Sequence, residues 1–182
     1  MISAFSFLLV GYKFNNIPVM ILSAIIAGAC LGFLPYNFNP ASIFMGDTGA
    51  LFLGFMLASL SIEGVMKSVA TIAFVVPIII LGVPIFDTAF AILRRLINKK
   101  PIMEADKGHL HHRFLKMGFS QRKTVLILYS ISAVFGICAV LISKANSKRA
   151  VLMAALVFVV TIFLAGKIGL YSPKKEEDHE ED

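Results

Sequence analysis

Two short stretches of this 182-residue chain carry side chains able to do chemistry. The first is Asn37 to Leu53, NFNPASIFMGDTGALFL, where a loop bearing Pro and Asn runs through Gly46-Asp47-Thr48-Gly49 into a long apolar segment. A carboxylate so close to hydrocarbon is costly unless paired, and acids at membrane depth are functional candidates by default. A hard cation such as Mg²⁺, which takes one or two carboxylates plus phosphate oxygens, suits a single acid of this kind. The competing reading makes Asp47 a helix N-cap that gains from the macrodipole, with Gly46 and Gly49 permitting the turn. Phe44 is apolar filler or a platform on which a base stacks, and its residue type alone favours filler.

The second stretch is His109-Leu110-His111-His112-Arg113, three imidazoles within four residues followed by a guanidinium. Such a group binds a metal or donates hydrogen bonds to phosphate oxygens. A structural zinc site wants four ligands, and no cysteine lies nearby. Leu110, Phe114 and Met117 fall at i, i+4 and i+7, which equally describes a basic helix lying on the bilayer surface. Asp87 stands about two turns before Arg94, on nearly the same helix face. It is either a functional acid or the partner of an Arg94 that reaches back to neutralise it. Arg94, Arg95, Lys99 and Lys100 read as topology anchors beside anionic lipid.

The elements that must position these residues are membrane helices. The chain is 58% hydrophobic and 15% charged, with a mean hydropathy of +0.83. Soluble domains carry roughly a quarter charged residues, and a spanning helix needs about 20 apolar ones. The expected fold is all-α, a polytopic membrane bundle of about six spans. Met1 to Tyr12 is apolar but short, with no basic segment before it as a signal peptide requires, so it reads as a span truncated at its start. Ile17 to Leu34 follows, with Gly28 and Gly32 at a spacing that suits close helix packing. Next come Thr48 to Val65, a long run from Ser68 to Leu93 interrupted by Pro77 and Pro84, Val125 to Ser143, and Ala150 to Leu170. Residues 1–170 form one membrane domain. The tail 171–182, YSPKKEEDHEED, has no apolar face and is expected to be disordered. Cys30 and Cys138 lie in apolar runs and read as small buried hydrophobes.

Orientation follows from the basic residues. If the loop 94–123 is cytoplasmic, helix alternation places the loop 35–47 and the tail on the same side, with twelve Lys and Arg inside against five outside. That is the bias of the positive-inside rule, and it puts Asp47 and the histidines in one compartment. The net charge of +6 is thereby explained by loops beside lipid, without a nucleic-acid partner.

Three segments together resemble the polyprenyl-phosphate N-acetylhexosamine-1-phosphate transferases: GFLPYNFNPASIFMGDTGALFLGF, VPIIILGVPIFDTAFAILRR and KKPIMEADKGHLHHRFLKMGF. The likeness runs from about Cys30 to Ser143 and is nearest to the bacterial branch that uses UDP-N-acetylglucosamine, including enzymes that start teichoic-acid linkage units. The motif here reads HLHH, similar to that branch, where the UDP-MurNAc-pentapeptide branch shows an uninterrupted histidine triplet. The resemblance implies transfer of N-acetylglucosamine 1-phosphate to undecaprenyl phosphate with release of UMP, in a bacterial cytoplasmic membrane. It implies Mg²⁺, for which Mn²⁺ can substitute. By carry-over, Asp47 is similar to the family's magnesium ligand, Phe44 and Gly46 to residues of its nucleotide pocket, and His109, His111 and His112 to the motif at the substrate diphosphate. Arg113 extends that motif.

The family also uses an aspartate-rich DDxxD-type motif and a second loop bearing Asn and Asp, both N-terminal to the region matched here. Neither occurs in these 182 residues. The chain thus resembles the C-terminal half of such an enzyme, expected to be inactive alone and to work with the missing N-terminal half; a homodimer is also compatible. Two further readings stay open. One is a transporter fragment, with Asp87, Pro77 and Pro84 marking a broken helix, and the other is a non-catalytic scaffold.

Overall fold

A computed structural model of the chain describes residues 1–65, 70–97, 99, 101 and 108–167. Eight helices are found among them, and no strand. They are α1 (Ile2–Lys13), α2 (Ile17–Asn37), α3 (Gly46–Val65), α4 (Ala70–Ile80), α5 (Gly82–Ile97), α6 (Leu110–Lys116), α7 (Gln121–Lys144) and α8 (Ser147–Lys167). The charged tail expected to be disordered lies outside the described residues, as do positions 102–107 of the histidine loop.

By length and composition, α2, α7 and α8 can each cross a membrane, and a fourth span results if the bent pair α4–α5 counts as one. That is three or four spans among the described residues against the expected six; α1 has only 12 residues, and the 20-residue α3 is not among the helices apolar enough to count. Large apolar side chains face outward along these helices, among them Leu51, Phe55, Leu152 and Phe163. A soluble surface rarely tolerates such contiguous apolar area, whereas hydrocarbon welcomes it. The molecule is a membrane helix bundle.

Helix α7 is its axis, packed by α1, α4, α5, α6 and α8. The core around it combines Phe7, Leu60, Val76 and Ile79 with the small residues Ala4, Ala139 and Ala150. Between helices in lipid the driving force is close packing rather than escape from water, so small residues that let backbones approach matter most. Cys30 and Cys138 are free thiols packed against this core, as expected. Gly28 and Gly32 differ from expectation: a Cβ added at either would meet nothing within 4 Å. The close packing their spacing suggested is not made among the described residues.

The run Ser68 to Leu93 is not one straight span. It breaks at Leu81, and the helices on either side are inclined by 84°. Pro84 sits in the first turn of α5, where its missing N–H costs nothing. Gly82 lets the corner pack, since a Cβ there would lie 3.0 Å from the Phe135 ring on α7. The segment after the corner is fixed by Phe86, whose ring meets those of Phe90, Phe135 and Phe158 at centroid distances of 6.1, 5.8 and 5.8 Å. The neighbour of that aromatic anchor is Asp87.

Candidate active site

The loop carrying the first stretch is shorter than 35–47. Helix α2 continues through Pro35 to Asn37, closed by the Phe38 N–H on the Leu34 carbonyl at 2.8 Å. The loop is therefore 38–45, and its own bonds shape it. The Tyr36 carbonyl accepts from the backbone N–H groups of Ser42 and Ile43 at 2.8 and 3.1 Å, and the Asn37 amide donates to the Ile43 carbonyl at 3.0 Å. A cis peptide joins Asn39 to Pro40. Gly46 then turns the chain into α3 at a φ of +66°, a left-handed conformation that glycine adopts without strain.

Asp47 is the second residue of α3, not its N-cap, and it is exposed. Its carboxylate has no hydrogen bond or ion pair to any described residue, so the capping explanation loses its bond. What remains is a carboxylate in the first turn of a helix, where the macrodipole favours negative charge by about 0.3–1 kcal/mol. Phe44 is 81% exposed and fills no space inside the protein.

The histidine stretch is built on α5. Asp87 receives two hydrogen bonds: the Leu110 backbone N–H donates to Oδ1 at 2.8 Å, and His109 Nδ1 lies 3.1 Å from Oδ2. The expected pairing of Asp87 with Arg94 is not made. Arg94 is buried and donates from Nη1 to the Gly108 carbonyl at 3.0 Å. Arg113 donates from Nε to the same oxygen at 3.3 Å. Arg95, also buried, donates to the Pro101 carbonyl at 3.1 Å. Arg94 and Arg95 are buried and hold the Gly108 and Pro101 carbonyls, so they do not face lipid as anchors. A Cβ at Gly108 would meet the Arg94 guanidinium, which would have to shift to admit it.

On this support α6 presents its imidazoles together. The His109 and His111 rings are parallel within 9° at 6.2 Å, and those of His111 and His112 are 4.0 Å apart. Partial burial and then the neighbouring His112 lower the His111 pKa, and His109 adds to this, while Asp87 opposes it. The apolar stripe proposed for lipid is divided. Phe114 is buried and meets Phe119 edge-on at 6.0 Å, Leu110 packs on Phe90 and Ala165, and only Met117, 55% exposed, faces outward. Among the described residues no three His, Cys, Asp or Glu side chains converge as metal ligands, so a histidine-only metal site is not formed.

No hydrogen bond or ion pair joins Asp47 to the histidines, but one element serves both. Ser120 caps α7, its hydroxyl accepting from Lys123 N at 3.4 Å. The next two residues then grip the first loop. Gln121 Oε1 accepts from the Asn39 amide at 2.7 Å, and Arg122 Nε donates to the Asn39 carbonyl at 3.1 Å. Helix α6 ends at Lys116, only a short turn before α7 begins. Asp87 and Arg94 support the histidine stretch, and Gln121 and Arg122, which the residue types did not single out, tie the first loop to the helix that follows that stretch. Arg122 carried no distinguishing sequence signal, whereas the i+7 relation of Asp87 and Arg94 was one.

The chain is thus a polytopic helix bundle with an acid at a helix mouth, unpaired among the described residues, and a histidine cluster on the short helix before α7; comparison with known proteins gives its family. Residues 1–65 match the model of glycosyl transferase family 4. The chain is 46% identical over 160 residues to a Bacillus subtilis protein named "Probable undecaprenyl-phosphate N-acetylglucosaminyl 1-phosphate transferase", an alignment covering 88% of this chain and 45% of that relative. It is 37% identical over 153 residues to the Mycobacterium tuberculosis "Decaprenyl-phosphate N-acetylglucosaminephosphotransferase", with 77% and 38% covered. It is 35% identical over 130 residues to a Clostridium beijerinckii "Phospho-N-acetylmuramoyl-pentapeptide-transferase", with 70% and 37% covered. The chain belongs to glycosyl transferase family 4. It spans a little under half the length of the curated relatives it matches. No solved structure matches it.

Proposed function

We propose that this chain supplies the Asp47 and histidine portion of an enzyme that transfers N-acetylglucosamine 1-phosphate from UDP-N-acetylglucosamine to undecaprenyl phosphate at the cytoplasmic face of a bacterial membrane. A lipid phosphate oxygen attacks the β-phosphorus of the nucleotide sugar; the new P–O bond forms as the bond to the bridging oxygen breaks, and UMP leaves with that oxygen. The product would start a cell-envelope glycopolymer, teichoic acid being the class the resemblance favours.

The observation that carries this reading is that the N-terminal end of α7 holds both chemical stretches, gripping Asn39 directly and following the histidine helix by a short turn. A diphosphate ester then has an acid on one side and imidazole donors on the other. The Asp47 carboxylate is a hard oxygen donor with no competing partner, which fits a Mg²⁺ that keeps water and substrate oxygens as its other ligands. Bound there, the ion would neutralise charge on the diphosphate, the chief electrostatic task in phosphoryl transfer. His109, His111, His112 and Arg113 would hold the non-bridging oxygens by hydrogen bonds to charge, each worth about 1.5–3 kcal/mol net. Exposed Phe44 would stack on the uracil, and Gly46 would let the backbone approach the nucleotide. The second acidic group of the site would come from the N-terminal half that the family pattern includes.

The transporter reading has one feature in its favour, the broken helix. That break instead delivers Asp87 to the histidine helix, where both its oxygens are engaged. The test is a chimera in which this chain replaces the aligned segment of the Bacillus subtilis relative. UMP release from UDP-N-acetylglucosamine, dependent on undecaprenyl phosphate and a divalent cation, is expected; a membrane-inserted but inactive chimera beside an active parent would refute the assignment.

A further inference from the structure

The two hydrogen bonds at Asp87 do different things. Oδ1 takes the Leu110 backbone N–H, one of the N–H groups that a helix start leaves without an intrahelical partner. Oδ2 takes His109 Nδ1. A carboxylate can only accept, so the proton of that bond lies on Nδ1, and the other ring nitrogen, Nε2, has no partner among the described residues. Nothing else in the described structure competes for the acid: Arg94, the cation on its own helix face, is turned to the Gly108 carbonyl. The Asp87 side chain is 21% exposed and that of His109 35%, so the bond is partly shielded from water. One residue before the acid, the Phe86 ring cluster anchors α5.

We propose that Asp87 is the positioning residue of the histidine motif: it fixes His109 in the Nδ1–H tautomer, with Nε2 directed away from α5 as the working nitrogen, and in the same contact starts helix α6. The role of that nitrogen toward a substrate phosphate rests on the transferase reading above; the tautomer does not. Asp87 and Arg94 then work as a pair. The acid holds the two donors of residues 109 and 110, and the arginine holds the acceptor of residue 108. Three consecutive residues of the motif are thus clamped by one face of α5. A carboxylate that orients an imidazole through Nδ1 is a recurring device, and loss of such outer partners at metal-bound histidines costs about 10–100-fold in affinity or activity.

The experiment is nitrogen-15 spectroscopy of histidine-labelled, full 182-residue protein in detergent micelles near neutral pH. The chain has four histidines, and each signal is assigned by its own His→Gln variant. In the unsubstituted protein the His109 signals should show a protonated Nδ1 and a lone-pair Nε2. In Asp87→Asn the amide can donate to the ring while its oxygen still accepts from Leu110, so His109 should switch to the Nε2–H form while His112 keeps its pattern. An Nε2–H tautomer in the unsubstituted protein overturns the proposal even if the variant fails to fold. So does an unchanged His109 pattern in a folded Asp87→Asn protein. In the active chimera, Asp87→Asn should lower UMP release about 10–100-fold. A tautomer switch without any transferase activity in the parent chimera would sink the functional assignment and leave the positioning role standing.

Discussion

Asn39 and Arg122, 83 residues apart in sequence, are joined by a hydrogen bond of 3.1 Å from the guanidinium Nε to the backbone carbonyl. That bond ties the loop in front of Asp47 to the helix that follows the histidines, and the proposed site depends on it for the relative placement of its two halves. The bond is exposed to solvent, so it is worth little globally, about 0.5–1.5 kcal/mol. Its effect should be local. Arg122→Ala is expected to raise the rate of proteolytic cleavage within residues 38–45 by about 2–10-fold with an almost unchanged melting temperature. An unaltered cleavage rate would show that the loop holds itself in place.

Gly108 lies against the Arg94 guanidinium with no room for a Cβ. Gly108→Ala should therefore destabilise the protein by about 1–3 kcal/mol through overpacking, read as a lower melting temperature in detergent. Combined with Arg94→Ala, the alanine at 108 should cost much less than it does alone. Strict additivity of the two changes would rule out the steric account.

His111 titrates below the ordinary imidazole value of 6.5, mainly through burial and then the adjacent His112. As pH falls, the unfolded chain takes up this proton before the folded one does. The contribution of His111 to stability is therefore fully present above about 6.5 and is lost as pH falls from there through its lower folded value. His111→Gln should flatten the fall in melting temperature over that acidic window and leave the alkaline side unchanged. An identical pH profile for both proteins would contradict the shift.

Phe44 fills no interior space, so Phe44→Ala should change stability by no more than about 0.5 kcal/mol. Stacking on a base is worth about 1–3 kcal/mol, so the same variant should weaken binding of UDP-N-acetylglucosamine to the active chimera by roughly 5–150-fold. Unchanged affinity would return Phe44 to the lipid-facing residues.

Much of this was legible in the residues, for identifiable reasons. Apolar runs long enough to span a bilayer mark helices directly, which is why α2, α7 and α8 fall where their hydropathy puts them. The positive-inside count led to the expectation that Asp47 and the histidines share one side of the membrane; the Asn39 contacts of α7 join the two loops within the protein. The corner at Leu81 was half legible. Pro77 and Pro84 signalled an interruption, but an 84° turn depends on Gly82 meeting Phe135, a contact between distant parts of the chain. Arg94 and Arg95 fit lipid anchoring equally well by residue type; their burial and their bonds to the Gly108 and Pro101 carbonyls come from tertiary structure that residue type does not show. Asp87 stood out as an acid in an apolar run. Its partner could not be read, because i+7 spacing makes Arg94 available while the tertiary fold brings His109 closer.

The central claim is that Asp47, at the mouth of α3 with no partner of its own, holds the metal ion of a sugar-phosphate transfer. It is tested most directly by Asp47→Asn in the chimera with the Bacillus subtilis relative, measuring UMP release from UDP-N-acetylglucosamine with undecaprenyl phosphate and Mg²⁺. The account predicts insertion and melting temperature close to those of the parent, with turnover reduced by about 10²–10³-fold or more. Near-parental turnover in that variant would reduce Asp47 to a favourable charge at a helix N-terminus and contradict the claim.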